Sequence, residues 1–309
     1  MMRRGAAAAA IFGMVLSMTA AACLEAAEPP RRVVSVNLCT DQLALLLAAP
    51  GQLVSVSRLA HDPTMAALAE AAQRIPANSG KAEEIYLLRP DLVLAGTYTT
   101  RQSLDMLRRL GIRVEAFPPE QSLDDIRRHI RRMGALLGRE AAAEAMLARF
   151  EADLAVLARP RTAASPLAAV YFGAAGTAGR DSLVDAVLAA AGWRNLAAEI
   201  GVVGVGLLPL ERLVVARPDA VIGEAPDPGG PALAHASYRH PALLAAIRSA
   251  TGVTVLPDRL TICGGPFTLD AVRQLRALGD RVATARPPAA AGGMSAPGPG
   301  TTSDIEARP

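Results

Sequence analysis

The sequence predicts an α/β protein of two Rossmann-like lobes joined by a long backbone helix. Three observations support this fold class: short apolar runs alternate with helical patterns in two stretches, one helix–strand unit occurs twice, and a long helical stretch separates the copies. The 309 residues, 51% of them hydrophobic, suffice for two lobes with separate cores. The predicted boundaries are 31–120 for the N-terminal lobe, 121–160 for the connecting helix and 161–286 for the C-terminal lobe.

The predicted strands are brief, rich in β-branched residues and bounded by turn residues. They are Arg32–Val36, Leu53–Ser57, Asp91–Ala95 and Arg113–Phe117, then Ala168–Phe172, Ala220–Gly223 and Val253–Leu256. Helical spacing predicts helices at Asp41–Ala48, Pro63–Gln73, Glu83–Leu88 and Thr100–Leu110, then Ser182–Ala191, Pro209–Ala216, Pro241–Ser249 and Thr268–Ala283. This alternation is typical of parallel sheets flanked by helices.

The strongest internal signal is a duplicated unit. Residues 83–96 and 211–223 each begin with Glu, continue as a helix, turn at Arg-Pro-Asp and end in a buried strand and Gly, with one residue of slack in the helix. Pro stops each helix, and Asp opens the turn into each strand. We therefore expect two lobes built alike.

The stretch between the lobes, residues 123–157, has the apolar periodicity of a helix. We expect Gly138 to break or kink it. A helical connection predicts a stiff hinge and limited closure of the lobes.

The first residues are typical of an export signal. Residues 1–22 carry a short cationic start, an apolar stretch rich in small residues and Ala20-Ala21-Ala22 as a cleavage site, which predicts a signal peptide and a periplasmic protein. The alternative is a transmembrane anchor. Cys23 follows directly and resembles a lipoprotein attachment site, so a lipid anchor stays open. Residues 287–309 are rich in Pro, Gly and Ala and predict a disordered tail.

Composition and motifs favour a binding protein over an enzyme. The net charge of +3 falls to about +1 once Arg3 and Arg4 are removed with the signal, so no nucleic-acid partner is expected. The Gly-rich residues 201–206 lack the context of a phosphate loop, and no Gly-x-Ser-x-Gly motif occurs. The four histidines are scattered, and His235 and His240 lack the spacing of a metal pair, so neither a metal site nor a resident cofactor is predicted.

Cys39 and Cys263 follow the first strand of one lobe and the last strand of the other. Such turns lie at the carboxyl ends of strands, where open α/β sheets bind ligands. In an exported protein the pair is most simply a disulfide that would straddle the cleft. Two free thiols that touch a ligand are the alternative.

Several of these patterns occur together in one family. The pattern consists of Arg32–Asn37, Glu83 before Arg-Pro-Asp-Leu-Val-Leu-Ala-Gly, the long connecting helix, Glu211 in Leu-Glu-Arg-Leu, and His240-Pro-Ala-Leu. Over residues 31–286 the chain resembles the iron-siderophore/cobalamin periplasmic-binding proteins of ABC importers. The resemblance implies a monomer that captures a metal chelate (cobalamin, cobinamide or a ferric siderophore) between its lobes and delivers it to a permease dimer with its ATPase. A periplasmic metal-ion or haem binding protein, and a doubly wound transferase, are the alternatives.

The resemblance also implies site residues. Glu83 and Glu211, one on each lobe, would dock onto arginines of the permease; the simpler interpretation is two acids favoured by helix N-termini. The candidate ligand-binding residues are Asn37, Arg58, Lys81, Tyr98, Tyr171, Phe172 and Phe267. Aromatic rings would stack on a flat ligand and cations would meet its anionic groups, although each ring has core packing as its alternative.

Overall fold

The computed structural model describes residues 28–223 and 240–285. The predicted signal peptide (1–22), the lipidation candidate Cys23 and the predicted tail (287–309) lie outside these residues. Within them, no helix combines the length and apolar character that crossing a bilayer requires.

The N-terminal lobe is built on one parallel sheet of five strands. These are β1 (Val33–Ser35), β2 (Leu53–Ser57), β3 (Ala77–Asn78), β4 (Leu92–Gly96) and β5 (Val114–Phe117). Their order is β3-β2-β1-β4-β5. The chain starts at the central strand β1, adds β2 and β3 on one side of it, and then returns to add β4 and β5 on the other side. This strand order is the Rossmann-like arrangement that the alternation of elements predicted.

Four helices cover this sheet: α1 (Leu38–Leu47), α2 (Ala69–Ala72), α3 (Ala82–Leu87) and α4 (Arg101–Arg109). The prediction of a helix over 63–73 is wrong for most of its length. The Asp62 carboxylate accepts hydrogen bonds from the backbone N–H and the hydroxyl of Thr64, and Gln42 Oε1 accepts from the N–H of Ala67 at 2.8 Å. These side chains satisfy backbone groups that would otherwise pair in a helix, so only one turn forms.

The C-terminal lobe repeats the plan with four described strands in its parallel sheet and a separate pair of strands. Its strands are β6 (Leu167–Tyr171), β8 (Arg194–Asn195), β10 (Ala220–Gly223) and β11 (Gly252–Val255), in the parallel order β11-β10-β6-β8. Two further strands, β7 (Gly176–Ala178) and β9 (Val205–Leu207), pair with each other as an antiparallel ribbon. The helices are α7 (Leu183–Ala190), α8 (Leu196–Glu199), α9 (Leu210–Ala216), α10 (Pro241–Ser249) and α11 (Thr268–Ala285).

The duplicated unit adopts the same backbone twice. Arg89 and Arg217, the arginines of the two Arg-Pro-Asp turns, both have left-handed backbone conformations, with φ of 48° and 46°. Asp91 accepts hydrogen bonds from the N–H groups of Arg31 and Arg32 ahead of β1, and Asp219 accepts from the N–H of Leu167 at the start of β6. Each Asp therefore anchors the central strand of its own sheet.

The one-residue slack in this unit does not lie in the helix, as predicted, but at the end of the strand. Glu83 and Glu211 each lie six residues before the arginine of their Arg-Pro-Asp turn, so α3 and α9 are in register. Strand β4 runs to Gly96, one residue beyond the position that corresponds to Gly223 at the end of β10.

The connecting segment is helical, and Gly138 divides it as expected. Helix α5 (Leu123–Leu137) ends at Gly138, whose φ of 66° favours glycine, and α6 (Glu140–Leu157) follows after a sharp turn. The two helices pack antiparallel, and Arg127 of α5 forms an ion pair with Glu151 of α6. Helix α6 then leads into β6 and packs on α11, so one 18-residue helix makes the connection between the lobes.

Candidate ligand-binding cleft

A cleft of about 700 Å³ opens between the lobes, in the size range of small-molecule sites. Its lining residues come from both lobes, and those that follow β4, β5, β6 and β11 lie at the carboxyl ends of parallel strands, where open α/β sheets place ligands. They are Tyr98, Pro119, Glu120, Gln121, Phe172, Ala178, Asp181, Ser182, Leu183, Val184, Gly204, Val205, Asp258, Thr261 and Ile262.

The N-terminal lobe contributes two short segments to the cleft. Tyr98 follows β4, and its side chain is 88% exposed. Residues 119–121 follow β5 and lead into α5, whose first residues are fixed by Ser122 and Asp125: Ser122 Oγ accepts from the Asp125 N–H, and Asp125 accepts from the Gln121 N–H. These two hydrogen bonds hold residues 119–121, which line the cleft, against the start of α5.

The C-terminal lobe contributes Phe172, the antiparallel ribbon and the start of α7. Thr177 in β7 is buried and donates its hydroxyl hydrogen bond to the Val170 carbonyl at 2.7 Å, which ties the ribbon to β6. Val205 in β9 lines the cleft and is 81% exposed. Ser182 caps α7 by accepting from the Asp185 N–H, so the helix start is also held rigidly.

Glu120 lies at the floor of the cleft and joins the lobes. It is buried, and one carboxylate oxygen accepts from the N–H of Gly264 in the C-terminal lobe at 3.1 Å. The other oxygen accepts from His129 Nδ1 at 2.8 Å. A Cβ atom at position 264 would lie within 3 Å of Ile126 and Glu120, so this close approach requires glycine. Glu120 therefore makes a buried contact between the lobes in which each carboxylate oxygen has a hydrogen-bond partner.

A disulfide joins the lobes beside this contact. The sulfur atoms of Cys39 and Cys263 lie 2.10 Å apart, and the Cα atoms are separated by 5.0 Å. Leu38 and Ala66 pack around the bridge from the N-terminal lobe. Together with the helical connection, the bridge limits how far the lobes can separate on this side.

The lining of the cleft is acidic, polar and apolar. Glu120, Asp181 and Asp258 supply carboxylates, Gln121 and Thr261 supply neutral hydrogen-bonding groups, and the remainder is mainly apolar. Among the described residues, the lining includes neither Lys nor Arg. Such a lining favours a neutral or cationic ligand over a polyanion.

Among the described residues, the carboxyl whose pKa is raised to about 6 lies away from the cleft lining. Asp41 is buried in the first turn of α1, and desolvation raises its pKa to about 6. Hydrogen bonds from the backbone N–H of Ser57 at 3.1 Å and from its hydroxyl at 2.5 Å oppose that rise. These bonds fasten α1 to the end of β2, so Asp41 has a structural place in the N-terminal lobe.

Two of the predicted ligand-binding residues, Tyr98 and Phe172, line the cleft, one from each lobe. Asn37 instead caps α1, where its side-chain oxygen accepts from the N–H of Cys39 at 3.0 Å. Arg58 and Lys81 are exposed on the N-terminal lobe but are not part of the cleft lining. Ligand contacts by these three residues stay predictions.

Tyr171 and Phe267 lie outside the lining of the cleft. Tyr171 is 2% exposed and packs in the core of the C-terminal lobe with Leu196 and Leu213, because it ends β6 on the face turned away from the cleft. Phe267 packs beside Cys263 in the cluster around the disulfide and borders a separate small depression. Core packing, the alternative for each ring, describes Tyr171, and ligand contact by Phe267 stays a prediction.

Several lining residues were missed by sequence reasoning. Residues 119–121 lie in the linker before α5, residues 181–184 span the start of α7, and their side chains form no catalytic or ligand-binding motif. The available signal was positional: residues 119–121 precede a Ser-x-x-Asp capping sequence at the start of α5, and residues 181–184 overlap the one at the start of α7.

Glu83 and Glu211 lie where the duplication places them. Both are exposed in the first turns of α3 and α9, and within the described part of the chain neither carboxylate forms a hydrogen bond or an ion pair. By contrast, the neighbouring Glu84 accepts hydrogen bonds from the Ser79 hydroxyl and from the Ser79 N–H, and these bonds lower the pKa of Glu84. The two unpaired acids are thus available to a partner.

No cluster of three or more His, Cys, Asp or Glu side chains suited to a metal ion occurs in residues 28–223 and 240–285.

Comparisons with known proteins agree with this architecture. A cobalamin-binding protein of Halobacterium salinarum is 30% identical over 203 residues, which are 62% of this chain and 53% of that protein. The chain thus spans about half the length of the curated relatives it matches. Among solved structures, the periplasmic heme-binding protein RhuT from Roseiflexus sp. RS-1 is 26% identical with a TM-score of 0.62, covering 82% of this chain and 99% of that one.

The periplasmic vitamin B12 binding protein BtuF of Vibrio cholerae has the same fold, with a TM-score of 0.61 at 20% identity over 82% of this chain and 98% of its own. The family model for periplasmic binding proteins matches residues 33–248. This chain therefore belongs to the periplasmic binding protein family, a family of binding proteins, and the predicted fold of two lobes with helix-flanked parallel sheets is confirmed.

Proposed function

We propose that this chain is the non-catalytic, periplasmic substrate-binding component of an ABC importer and that its ligand is a corrinoid, cobalamin or cobinamide. The observation that carries the ligand class is the cleft between the lobes, with apolar walls, amide and hydroxyl groups and three carboxylates. A corrin ring has neutral amides on its edge and a cationic cobalt centre, and this lining matches both.

The charge of the same lining distinguishes between candidate ligands. A ferric citrate or ferric catecholate chelate carries several negative charges, and burying these beside Glu120 and Asp181 would leave them uncompensated. A neutral ferric hydroxamate has no such penalty and is the nearest competitor among siderophores. The similarity to a cobalamin-binding protein supports placing corrinoids first.

Haem is the second candidate ligand, and Tyr98 favours it. Tyr98 is 88% exposed at the cleft, and a tyrosine phenolate is an established ligand of haem iron. The haem propionates weigh against this candidate because they would enter an acidic cleft.

The experiment is a fluorescence-quench and absorbance titration of the purified protein. The panel contains cyanocobalamin, dicyanocobinamide, haemin, ferric citrate and a ferric hydroxamate. We expect micromolar or tighter binding of the two corrinoids and none of ferric citrate. The proposed ligand would change from a corrinoid to haem if neither corrinoid binds and haemin shifts the Soret band of the wild type but not that of Tyr98→Phe.

Delivery requires a partner, and we assign the contact to Glu83 and Glu211. Their carboxylates are exposed, unpaired within the described residues and placed equivalently on two lobes of the same plan. A pair of equivalent acids suits a permease dimer that presents basic residues on both sides of its two-fold axis. Export by residues 1–22, with or without a lipid on Cys23, would bring the protein to that partner.

A further inference from the structure

Apolar side chains accompany the two docking acids. Leu87 on α3 is 79% exposed, and Val215 on α9 is 81% exposed. Beside them Tyr86 is 50% exposed and Val214 is 41% exposed. Isolated exposed apolar residues are ordinary on protein surfaces, so the meaning of these four depends on their arrangement.

The arrangement is duplicated. Leu87 follows Glu83 by four residues and Val215 follows Glu211 by four residues, which in a helix places each apolar side chain on the same face as its acid. The offset between the two lobes is 128 residues for both pairs (211 − 83 and 215 − 87). The residue types differ between the copies, but the order of acid and apolar group is the same.

Each helix also has a separate buried face. Ile85 on α3 and Leu213 on α9 are fully buried against their lobes, and they too are equivalent in the duplication. A surface helix needs only that one apolar face, and its opposite face is normally polar. The outer apolar residues of α3 and α9 therefore contribute nothing to the cores that the described residues form.

We infer that Leu87 and Val215 are matched apolar contacts to the permease dimer, each beside a docking acid. The inference rests on the proposed importer function. It specifies the partner's chemistry: two apolar depressions, related by the partner's two-fold axis, each next to a basic side chain. Apolar contacts beside an ion pair exclude water from it, and an ion pair in a lower dielectric is stronger.

The test compares variants of the cobalamin-loaded protein for binding to the producing organism's corrinoid permease and ATPase in nanodiscs. Leu87→Gln/Val215→Gln replaces both apolar groups with a residue that is compatible with helices. We expect about a tenfold or greater loss of affinity for the permease with unchanged affinity for cobalamin. The control is Leu110→Gln/Val253→Gln, which changes one exposed apolar residue on each lobe (45% and 52% exposed) and should leave both affinities unchanged.

A parallel variant, Glu83→Lys/Glu211→Lys, separates the two levels of the proposal. If Glu83→Lys/Glu211→Lys abolishes permease binding and Leu87→Gln/Val215→Gln does not weaken that binding, the apolar contact is overturned and the docking role of the two acids is supported. If neither variant weakens binding, both the inference and the proposed docking fail. Retained cobalamin affinity in each variant shows that the protein is folded.

Discussion

In the N-terminal lobe every described strand belongs to one parallel sheet, whereas the C-terminal lobe adds the antiparallel ribbon β7–β9 beside its sheet. The parts that the lobes share are the central strands, the Arg-Pro-Asp turns and the helices α3 and α9, which carry Glu83 and Glu211. The ribbon, which has no counterpart among the described strands of the N-terminal lobe, borders the cleft. The difference suggests a division of tasks: the duplicated frame presents symmetric contacts to a symmetric partner, and the unshared segments recognise an asymmetric ligand.

The largest expected effect is on the shared frame. Reversing both acids in Glu83→Lys/Glu211→Lys should reduce ligand uptake by about 100-fold or more, because truncating one member of a hydrogen-bonded interface charge pair already costs about 2–5 kcal/mol. The loss of transport is measured as uptake of radiolabelled cobalamin into proteoliposomes. The control Glu70→Lys/Asp280→Lys changes the net charge equally at exposed sites on the two lobes. Full uptake by the first variant would contradict the assigned docking role.

Breaking the bridge between the lobes is expected to have the next largest effect. Cys39→Ser/Cys263→Ser should lower the free energy of unfolding by about 2–4 kcal/mol. The disulfide joins residues 224 positions apart and so reduces the conformational entropy of the unfolded chain. Urea denaturation under non-reducing conditions measures this difference. The same wild type under reducing conditions should match the variant. Equal stability of the oxidised wild type and the variant would show that the bridge adds nothing to the Glu120–Gly264 contact.

A pH effect should arise in the N-terminal lobe from Asp41. Burial raises its pKa from 3.8 to about 6 in the folded state, so the folded protein binds this proton more tightly than the unfolded chain. The resulting stabilisation is complete below about pH 4 and is lost as the pH rises through 6. Compared with Asp41→Asn, the wild type should gain about 2 kcal/mol of unfolding free energy between pH 7.5 and pH 4. A difference between the two proteins that stays constant over this range would exclude the shift.

The smallest expected effect belongs to the ribbon. Val205→Ser removes an exposed apolar group from the cleft and should weaken cobalamin binding by about tenfold, since one lost apolar contact is worth about 1–2 kcal/mol. Permease binding of the loaded variant should be unchanged. Val156→Ser is the matched control because Val156 is 74% exposed on α6, away from the cleft. Unchanged ligand affinity in Val205→Ser would remove the ribbon from ligand recognition.

The frame was predictable from the sequence because local signals specify it. Arg-Pro-Asp ends a helix and starts a buried strand in both lobes, and Gly138 ends α5 through its left-handed backbone. The short strand β3 and the ribbon were not predicted. Strand β3 has two residues and is held by Asn78, whose side-chain amide donates to the Ser35 and Val56 carbonyls, and no local pattern reveals such distant partners.

The cleft was predictable only in its location. Tyr98 and Phe172 follow strand ends and line the cleft, and their contact with a ligand stays a prediction. Tyr171, the last residue of β6, packs in the core, because successive side chains of a strand point to opposite faces. Glu120 was missed because its importance depends on Gly264 and His129, which come together only in the folded chain. Tertiary pairs of this kind have no signature in a single sequence.

The most direct test of the division between frame and cleft is the affinity of cobalamin-loaded Glu83→Lys and Glu211→Lys, each alone, for the permease in nanodiscs. The symmetric frame predicts that the two single variants lose affinity to a similar extent, within about threefold of each other, while both keep the cobalamin affinity of the wild type. A large loss in one variant with none in the other would contradict the account, because the two lobes would then not present equivalent contacts.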